Sequence, residues 1–426
     1  MRPPNPATAE TGTPGPAMPR LFLRFGLLGA AQLAGSALSF LTAVIIIRVG
    51  GAAVFGQVSV GLSVLTYALL ITNFGTDISG VRLAAASPER IGAMLPAILL
   101  MRMVLAGLAF ALIVLLAPVL APDPGGRTIL LILSAGVFAS ALFPAWLAQG
   151  VENIRVTALC IFGPFALTFA LTAGAALGAP SGEAFAASRL TADFLIAFAV
   201  LLWARQFFDG SDRARIRSAI GDLAGQSAMI ATSELVRGLA FLSDVLIVSF
   251  FFQDSTVGHF SAAYRIYLLL VAVAAMYSIV LFPRLSRAAR QGRQELRAEL
   301  GSTLLWTLPP TAVLTLVFIL LAPWALPLGF GADFGAAVPA LQLLGIAASL
   351  NFIHRNYSRT LIALGLARID LHVKAAVTFA GILLKILGTR QWGITGTALA
   401  LVASEAILLV WLGWATHRRL RAEAAR

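Results

Sequence analysis

The chain has 426 residues, 59% hydrophobic and 12% charged, with a mean hydropathy of +0.89. A soluble domain is nearer half apolar and a quarter charged, so this composition excludes a water-soluble globular protein. The net charge of +12 and pI near 11.1 would suit a nucleic-acid binder only if the positive charge clustered on a soluble face; here it flanks apolar runs, and no nucleic-acid partner is expected.

In chain order, the first twenty residues, MRPPNPATAETGTPGPAMPR, are Pro-rich and polar and read as a disordered cytoplasmic tail, 1–20. About twelve apolar runs follow, near 25–47, 55–76, 94–120, 128–148, 156–178, 184–204, 224–252, 257–283, 303–326, 336–363, 371–388 and 393–415. A bilayer-spanning helix needs roughly 20 such residues. The first run is too long for a signal-peptide core and is read as an anchor. Lipid forces every backbone polar group to pair within the chain, and the runs are continuous rather than alternating, which disfavours a β-barrel. The expectation is an all-α integral membrane protein. It has a six-helix bundle over 21–205, a cytoplasmic linker over 206–222, a second bundle over 223–416 and a tail over 417–426.

Arginine placement sets the expected orientation. With the N-terminus inside, 20 arginines fall in inside segments and three, Arg48, Arg127 and Arg390, fall outside. The positive-inside rule then puts both termini in the cytoplasm.

The chain also repeats itself. LSFLTAVII (38–46) aligns with LAFLSDVLI (239–247), and FGQVS (55–59) with VGHFS (257–261). Each pair ends a first span and starts a second, and the basic segment 203–222 separates the halves. Six spans per half give both halves the same orientation, so they are expected to be parallel repeats about an axis along the membrane normal.

The stretches IIIRVGGAAVFGQVSVGLSVLTYALLITNFG, FPAWLAQGVEN (143–153), DVLIVSFFFQDSTVGHFSAAYRIY (244–267) and IVLFPRLS (279–286) resemble the bacterial polysaccharide-flippase (Wzx-type) family. That family belongs to the multidrug/oligosaccharidyl-lipid/polysaccharide exporter superfamily. The resemblance implies two six-helix bundles facing each other in a V, around a cavity that opens alternately to each side. It implies flipping of an oligosaccharide on polyprenyl pyrophosphate from the cytoplasmic to the periplasmic leaflet of a bacterial inner membrane. It also implies membrane lipid, a coupling proton or sodium ion, and polymerase and glycosyltransferase partners.

A charge inside a span costs several kcal/mol against lipid, so each needs a reason. On the seventh span Gln226, Ser233, Glu234, Arg237 and Asp244 form a polar stripe, expected to face the interior or a cavity, with local Glu234–Arg237 pairing as the alternative. Asp244 and Arg265 lie about ten residues either side of a turn centred near Asp254–Ser255, which predicts equal depth and an ion pair acting as a gate. The first-half counterparts are Ala43 and Ser63. Arg189 and Asp193 are spaced for a local pair. Lys374 and Lys385 near span ends are expected to snorkel. Glu405 has no basic residue within two turns of its own helix. It is a coupling candidate, unless a base from another helix meets it.

A pyrophosphate-linked sugar suits paired hydrogen bonds from guanidinium groups. Arg102, Arg237, Arg265, Arg355 and Arg359 are therefore the substrate-binding candidates, and Glu234, Asp244 and Glu405 the coupling or gating ones. Trp146, Tyr264, Tyr267 and Tyr277 could stack on sugars or anchor at the interface. The lone Cys160 reads as packing. The four histidines form no metal-spaced set, no phosphate-cradling nucleotide motif is present, and neither metal nor cofactor is expected. An ion-coupled multidrug exporter and a membrane-embedded glycosyl- or acyltransferase are the alternatives. The basic excess inside the spans argues against a cationic drug, and the short outside loops argue against an enzyme.

Overall fold

The computed structural model describes residues 18–208 and 213–421. Residues 1–17 of the expected N-terminal tail, 209–212 of the expected linker and 422–426 of the expected C-terminal tail lie outside the described residues. Helix α1 (Met18–Asn73) carries the first two apolar runs as one bent rod, broken at Gly51 with φ 79° and ψ 179°. Only glycine reaches that conformation without a Cβ penalty. Helices α2 (Thr76–Ala86), α3 (Ile91–Leu120), α4 (Pro124–Ser134), α5 (Gly136–Ala141), α6 (Ala145–Gly150), α7 (Ile154–Gly178) and α8 (Gly182–Ala204) complete the first half. The fourth run is divided among α4, α5 and α6; the α5–α6 break falls at Pro144, which has no N–H to continue a helix across it. Asp123, Asn153 and Ser181 cap α4, α7 and α8, accepting from the N–H groups of Gly126, Val156 and Ala184.

The second half comprises α9 (Arg213–Phe251), α10 (Asp254–Gln291), α11 (Arg293–Phe330), α12 (Val338–Ala363) and α13 (Ala367–Arg421). Helix α13 is two limbs joined at Trp392 and Gly393, the latter with φ 63°. Among the described residues nine segments are long and apolar enough to cross a membrane. Two of them, holding α1 and α13, are bent into two limbs each, and with the 39-residue α9 beside them the helices accord with about twelve crossings. The protein is a multi-pass, all-helical membrane protein.

Burial follows lipid logic. Along α3, Leu100, Val104, Leu108, Leu112, Leu115 and Val119 are exposed, whereas Arg102, Ala106, Ala109, Ile113 and Ala117 are buried. The outward face is one helical stripe of branched aliphatics, and the inward face is mostly small, letting backbones approach. Elsewhere the inner face is polar too: threonines such as Thr42, Thr66, Thr307 and Thr416 return their hydroxyls to the carbonyl four residues back.

The halves meet along α1 and α10. Near the α9–α10 turn, Gly56 and Gly258 are 202 positions apart, as are Ala52 and Asp254. A Cβ on Gly56 would collide with the carbonyl oxygen of Asp254, and a Cβ on Gly258 with that of Ala52. The contact is reciprocal, as a two-fold relation between repeats requires. Gln57 adds a bridge, donating to Asp254 at 2.9 Å and Asp123 at 3.3 Å. Arg48 donates to Gly329 O at 3.0 Å and to Leu328 O, filling carbonyls left open at the end of α11.

At the other end α9 straddles the interface. Ala219 and Leu223 pack in the core of the first half with Ile91, Leu95 and Trp146. Ser227 meets Ser79 at 2.7 Å, and Asp222 meets Arg90 at 2.7 Å. Farther along, Asp244 belongs to the second half. The expected linker therefore includes the first turns of a spanning helix.

Candidate functional site

Between the halves lies a cavity of about 280 Å³, at the small end of ligand pockets. The first half lines it with hydroxyls from Ser39, Thr42, Ser63, Thr66, Thr168 and Thr172, together with Arg189; α10 contributes Tyr264 and Arg265. Helix α1 presents Ser39 and Thr42 on its first limb and Ser59, Ser63 and Thr66 on its second, each set on successive turns because i, i+3 and i+4 positions share a face. Arg265 donates through Nη1 to Ser39 Oγ at 2.9 Å and to Ser39 O at 3.4 Å, and its guanidinium carbon lies 6.0 Å from the Phe55 ring. No carboxylate among the described residues pairs with it. Arg189 lies on the wall shared with a neighbouring cavity of about 240 Å³ and pairs with Asp193 at 2.8 Å. That local pair is as its spacing predicts.

The expected Asp244–Arg265 pair is not formed. Asp244, 1% exposed, instead holds Lys385 Nζ at 2.8 Å and accepts from Tyr264 Oη at 3.0 Å. The turn after α9 lies at 252–253 rather than 254–255, so depth-matching takes Asp244 to Ser261, one turn from Arg265. Tyr264 and Arg265, being adjacent, point about 100° apart around their helix, and only the tyrosine faces Asp244. Lys385 does not snorkel. It is 3% exposed, because the carboxylate inside outweighs the pull of the interface. Lys374 likewise pairs, with Asp370 at 2.7 Å and Ser358 at 2.7 Å.

Glu405 has the partners that its own helix lacks. Its Oε1 accepts from Tyr267 Oη at 3.1 Å and Asn351 Nδ2 at 3.1 Å, and its Oε2 lies 2.7 Å from His354 Nε2. Asn351 Oδ1 in turn accepts from Arg355 Nε at 2.8 Å. Tyr264 and Tyr267 pack ring to ring at 5.4 Å, so the two carboxylate sites adjoin across α10. Tyr264 and Tyr267 are buried donors to carboxylates, and Tyr264 also lines the cavity. Tyr277 bonds Thr307 at 2.8 Å and Asn356 at 2.9 Å, and Trp146 is core. Cys160 is buried, as expected, on the neighbouring cavity.

The remaining candidates are scattered. Arg102 is buried away from the cavity, donating to Asp77 at 2.6 Å and Thr76 Oγ1 at 2.7 Å. Arg359 stands over the Phe282 ring at 5.9 Å. Glu234 lies on α9 half-buried, and the side chains of Gln226, Ser233 and Arg237 lie outside the described residues. Sequence reasoning missed the roles of Lys385, Asn351 and His354, and set Arg189 aside as a local pair. Asn351, His354 and Arg355 are spaced three and four apart, one helical face, and that was the legible signal.

The model of a family described as "Polysaccharide biosynthesis protein" matches residues 24–289. The chain belongs to the polysaccharide biosynthesis protein family. No curated protein matches it by sequence. Among solved structures it is similar to lipid II flippase MurJ in an inward-closed conformation, with 16% identity, a TM-score of 0.70, and 92% of this chain and 87% of that one covered. It is also similar to an inward-facing multidrug resistance MATE transporter of the MOP superfamily, with 15% identity, a TM-score of 0.69, and 91% and 95% covered. A third match is a MOP superfamily transporter from Pyrococcus furiosus, with 16% identity, a TM-score of 0.57, and 94% and 96% covered. These likenesses establish the MOP transporter fold for this member of the polysaccharide biosynthesis family.

Proposed function

We propose that this chain is a flippase, moving an oligosaccharide on a polyprenyl pyrophosphate from the cytoplasmic to the periplasmic leaflet of a bacterial inner membrane by alternating access. The observation that carries the reading is Arg265: a half-buried guanidinium on the cavity wall, with Arg189 nearby, hydroxyls around it and no carboxylate partner among the described residues. A cavity of this polarity favours an anion, and guanidinium groups hold pyrophosphate through paired, charge-assisted bonds. It disfavours a cationic drug. The family description supports a role in polysaccharide synthesis, and the short loops give a transferase little room for an active site. At about 280 Å³ the cavity is too tight for a glycosylated pyrophosphate, so loading requires the halves to part.

The arginine asymmetry supports cytoplasmic termini. Of the three arginines on the other side, Arg48 and Arg127 each donate to carbonyls at a helix end, which gives them a local reason to be there. Arg102, Arg237, Arg355 and Arg359 remain proposed substrate contacts reached as the cavity opens, with Glu234 and Glu405 as proposed gating or coupling groups; Asp244, held by Lys385 instead of Arg265, serves as a strut. Substrate release would hand the lipid to a polymerase. The test is translocation of a fluorescent lipid-linked oligosaccharide in proteoliposomes, scored by access of an impermeant quencher. Activity in the wild type and loss in Arg265→Ala is expected; no translocation of any pyrophosphate-linked sugar by the wild type would overturn the reading.

A further inference from the structure

The first half keeps a hollow at a position where the second half places a buried ring. The smaller cavity, about 240 Å³, lies within the first bundle, between the second limb of α1, α5, α7 and α8. It shares Leu65, Leu69, Phe165 and Arg189 with the larger one. Leu65 has Tyr267 as its counterpart 202 positions on, and that tyrosine is buried against Glu405. Helix α7 runs along both cavities: Ile161, Phe165, Thr168 and Thr172 are spaced four, three and four apart, on one face. Thr42, Thr66 and Ser188 return their hydroxyls to the carbonyl four residues back. Thr168 and Thr172, 7% and 0% exposed, do not, and their hydroxyls have no hydrogen-bond partner among the described residues. One turn earlier, Pro164 has no N–H for the carbonyl of Cys160, and both residues line the smaller cavity. Ser140 and Asp193 add a hydroxyl and a carboxylate there, beside Phe165, whose ring stands where a Cβ on Gly35 would.

The two cavities differ in charge. The larger holds Arg265 with no carboxylate partner among the described residues, which suits an anion. In the smaller, Asp193 holds Arg189 at 2.8 Å, so its charges cancel. A group entering there meets hydroxyls, an ionised carboxylate that only accepts, an open carbonyl and an aromatic side chain. A hydrocarbon chain would leave those polar groups unanswered, at a cost for each. A sugar ring answers them: its edge carries hydroxyls that give and take hydrogen bonds, and its C–H faces pack on an aromatic ring. We propose that the smaller cavity is a sugar seat. It takes one neutral hexose ring of the head group, the ring next to the pyrophosphate, while the pyrophosphate lies at Arg265; the assignment rests on the flippase reading. Asp193 and the Cys160 carbonyl accept from ring hydroxyls, and Thr168 and Thr172 donate at the passage between the cavities. A sugar acid is rejected, because its carboxylate would meet Asp193 while Arg189 is already engaged. The seat is built from one half alone, so it keeps its walls as the halves part, and the head group travels with the first half.

The test uses three farnesyl pyrophosphates of equal pyrophosphate charge, capped on the far phosphate with glucose, with glucuronic acid or with methyl. Their equilibrium binding to the full chain in nanodiscs is measured, with no translocation step. Arg265→Ala should weaken all three alike, because the pyrophosphate is common to them; failure of that arm counts against the flippase reading alone, since the ratios among the probes report on the seat. The wild type should bind the glucosyl probe about tenfold more tightly than the methyl probe, the equivalent of one neutral hydrogen bond, and about tenfold more tightly than the glucuronosyl probe. Ala139→Leu puts a larger side chain on the wall of the smaller cavity and should bring the glucosyl affinity down toward that of the methyl probe. Asp193→Asn should raise the affinity for the glucuronosyl probe about tenfold, by freeing Arg189 for the sugar's carboxylate; misfolding cannot mimic a gain. In the wild type, a diazirine at C6 of the glucose should label 136–143 and 160–165, located by mass spectrometry of the peptides. Equal wild-type binding of the glucosyl and methyl probes, a glucosyl preference that survives Ala139→Leu, no gain for the glucuronosyl probe in Asp193→Asn, or label absent from those two segments would each overturn the proposal.

Discussion

At their point of contact the two halves are equals, and in their interiors they are not. Gly56 and Gly258 each abut the other half's backbone in the same way, as a two-fold relation demands. Yet the counterparts of Asp244 and Arg265 are Ala43 and Ser63, and the first-half wall of the cavity is hydroxyl-rich where the second half carries the linked charges of Lys385, Asp244, Glu405 and His354. The difference separates two tasks. A symmetric seam lets two rigid bundles rock against each other with little change inside either one. An unequal interior concentrates the buried ion pairs in one bundle and leaves the other mostly hydroxyls and Arg189 on the cavity wall.

The largest effect is expected from breaking the inequality. Lys385→Met leaves Asp244 buried without its cation, which should lower stability by about 3–5 kcal/mol. Membrane yield and thermal unfolding should both drop, whereas Lys385→Met with Asp244→Leu should recover most of the loss. If the single variant were as stable as wild type, the pair would not be the second half's internal strut.

The next variant breaks the symmetry of the seam. Gly56→Ala forces a methyl group against the Asp254 carbonyl, and Gly258→Ala does the same at Ala52. Reversing a 99:1 preference takes about 5.5 kcal/mol, and two such collisions are sufficient to do it. The double variant should stand open at that end and translocate on the order of a hundredfold more slowly, with each single variant intermediate. Dipolar broadening between spin labels at the exposed positions Ala53 and Gln253, in a Cys160→Ala background, checks this; two unequal single variants would show that the seam is not symmetric in energy.

Arg265 sharpens the contrast between walls. Arg265→Ala should reduce translocation by roughly 10- to 150-fold, the equivalent of one charged hydrogen-bonding group, while leaving thermal stability nearly unchanged. Arg265→Lys should restore part of the activity, since a point charge lacks the fork. Initial rates against lipid-linked sugar concentration would separate binding from turnover. The smallest effect is expected at Arg48, exposed at the rim of the seam. Arg48→Ala should loosen the closed end by about 0.3–1 kcal/mol, visible as a modest rise in the open population that high salt mimics in the wild type.

The membrane class, the twelve crossings and the duplication were legible in the sequence because lipid imposes a length and a composition on every crossing, and duplicated helices keep their small residues at matching offsets. Glu405 as an in-span group needing a partner was legible too, since one helix can be searched for a base by counting. What closes on it was not. His354 lies 51 positions away, Lys385 reaches Asp244 across 141, and Ser39 reaches Arg265 across 226. Sequence spacing fixes the depth of a side chain and its face on one helix. Which helices are neighbours, and how each is rotated, is decided by packing. Mistaking the turn after α9 by two residues moved the match for Asp244 by one helical turn. Only the assembled bundle chose Lys385 over Arg265, and so left Arg265 free to face the cavity.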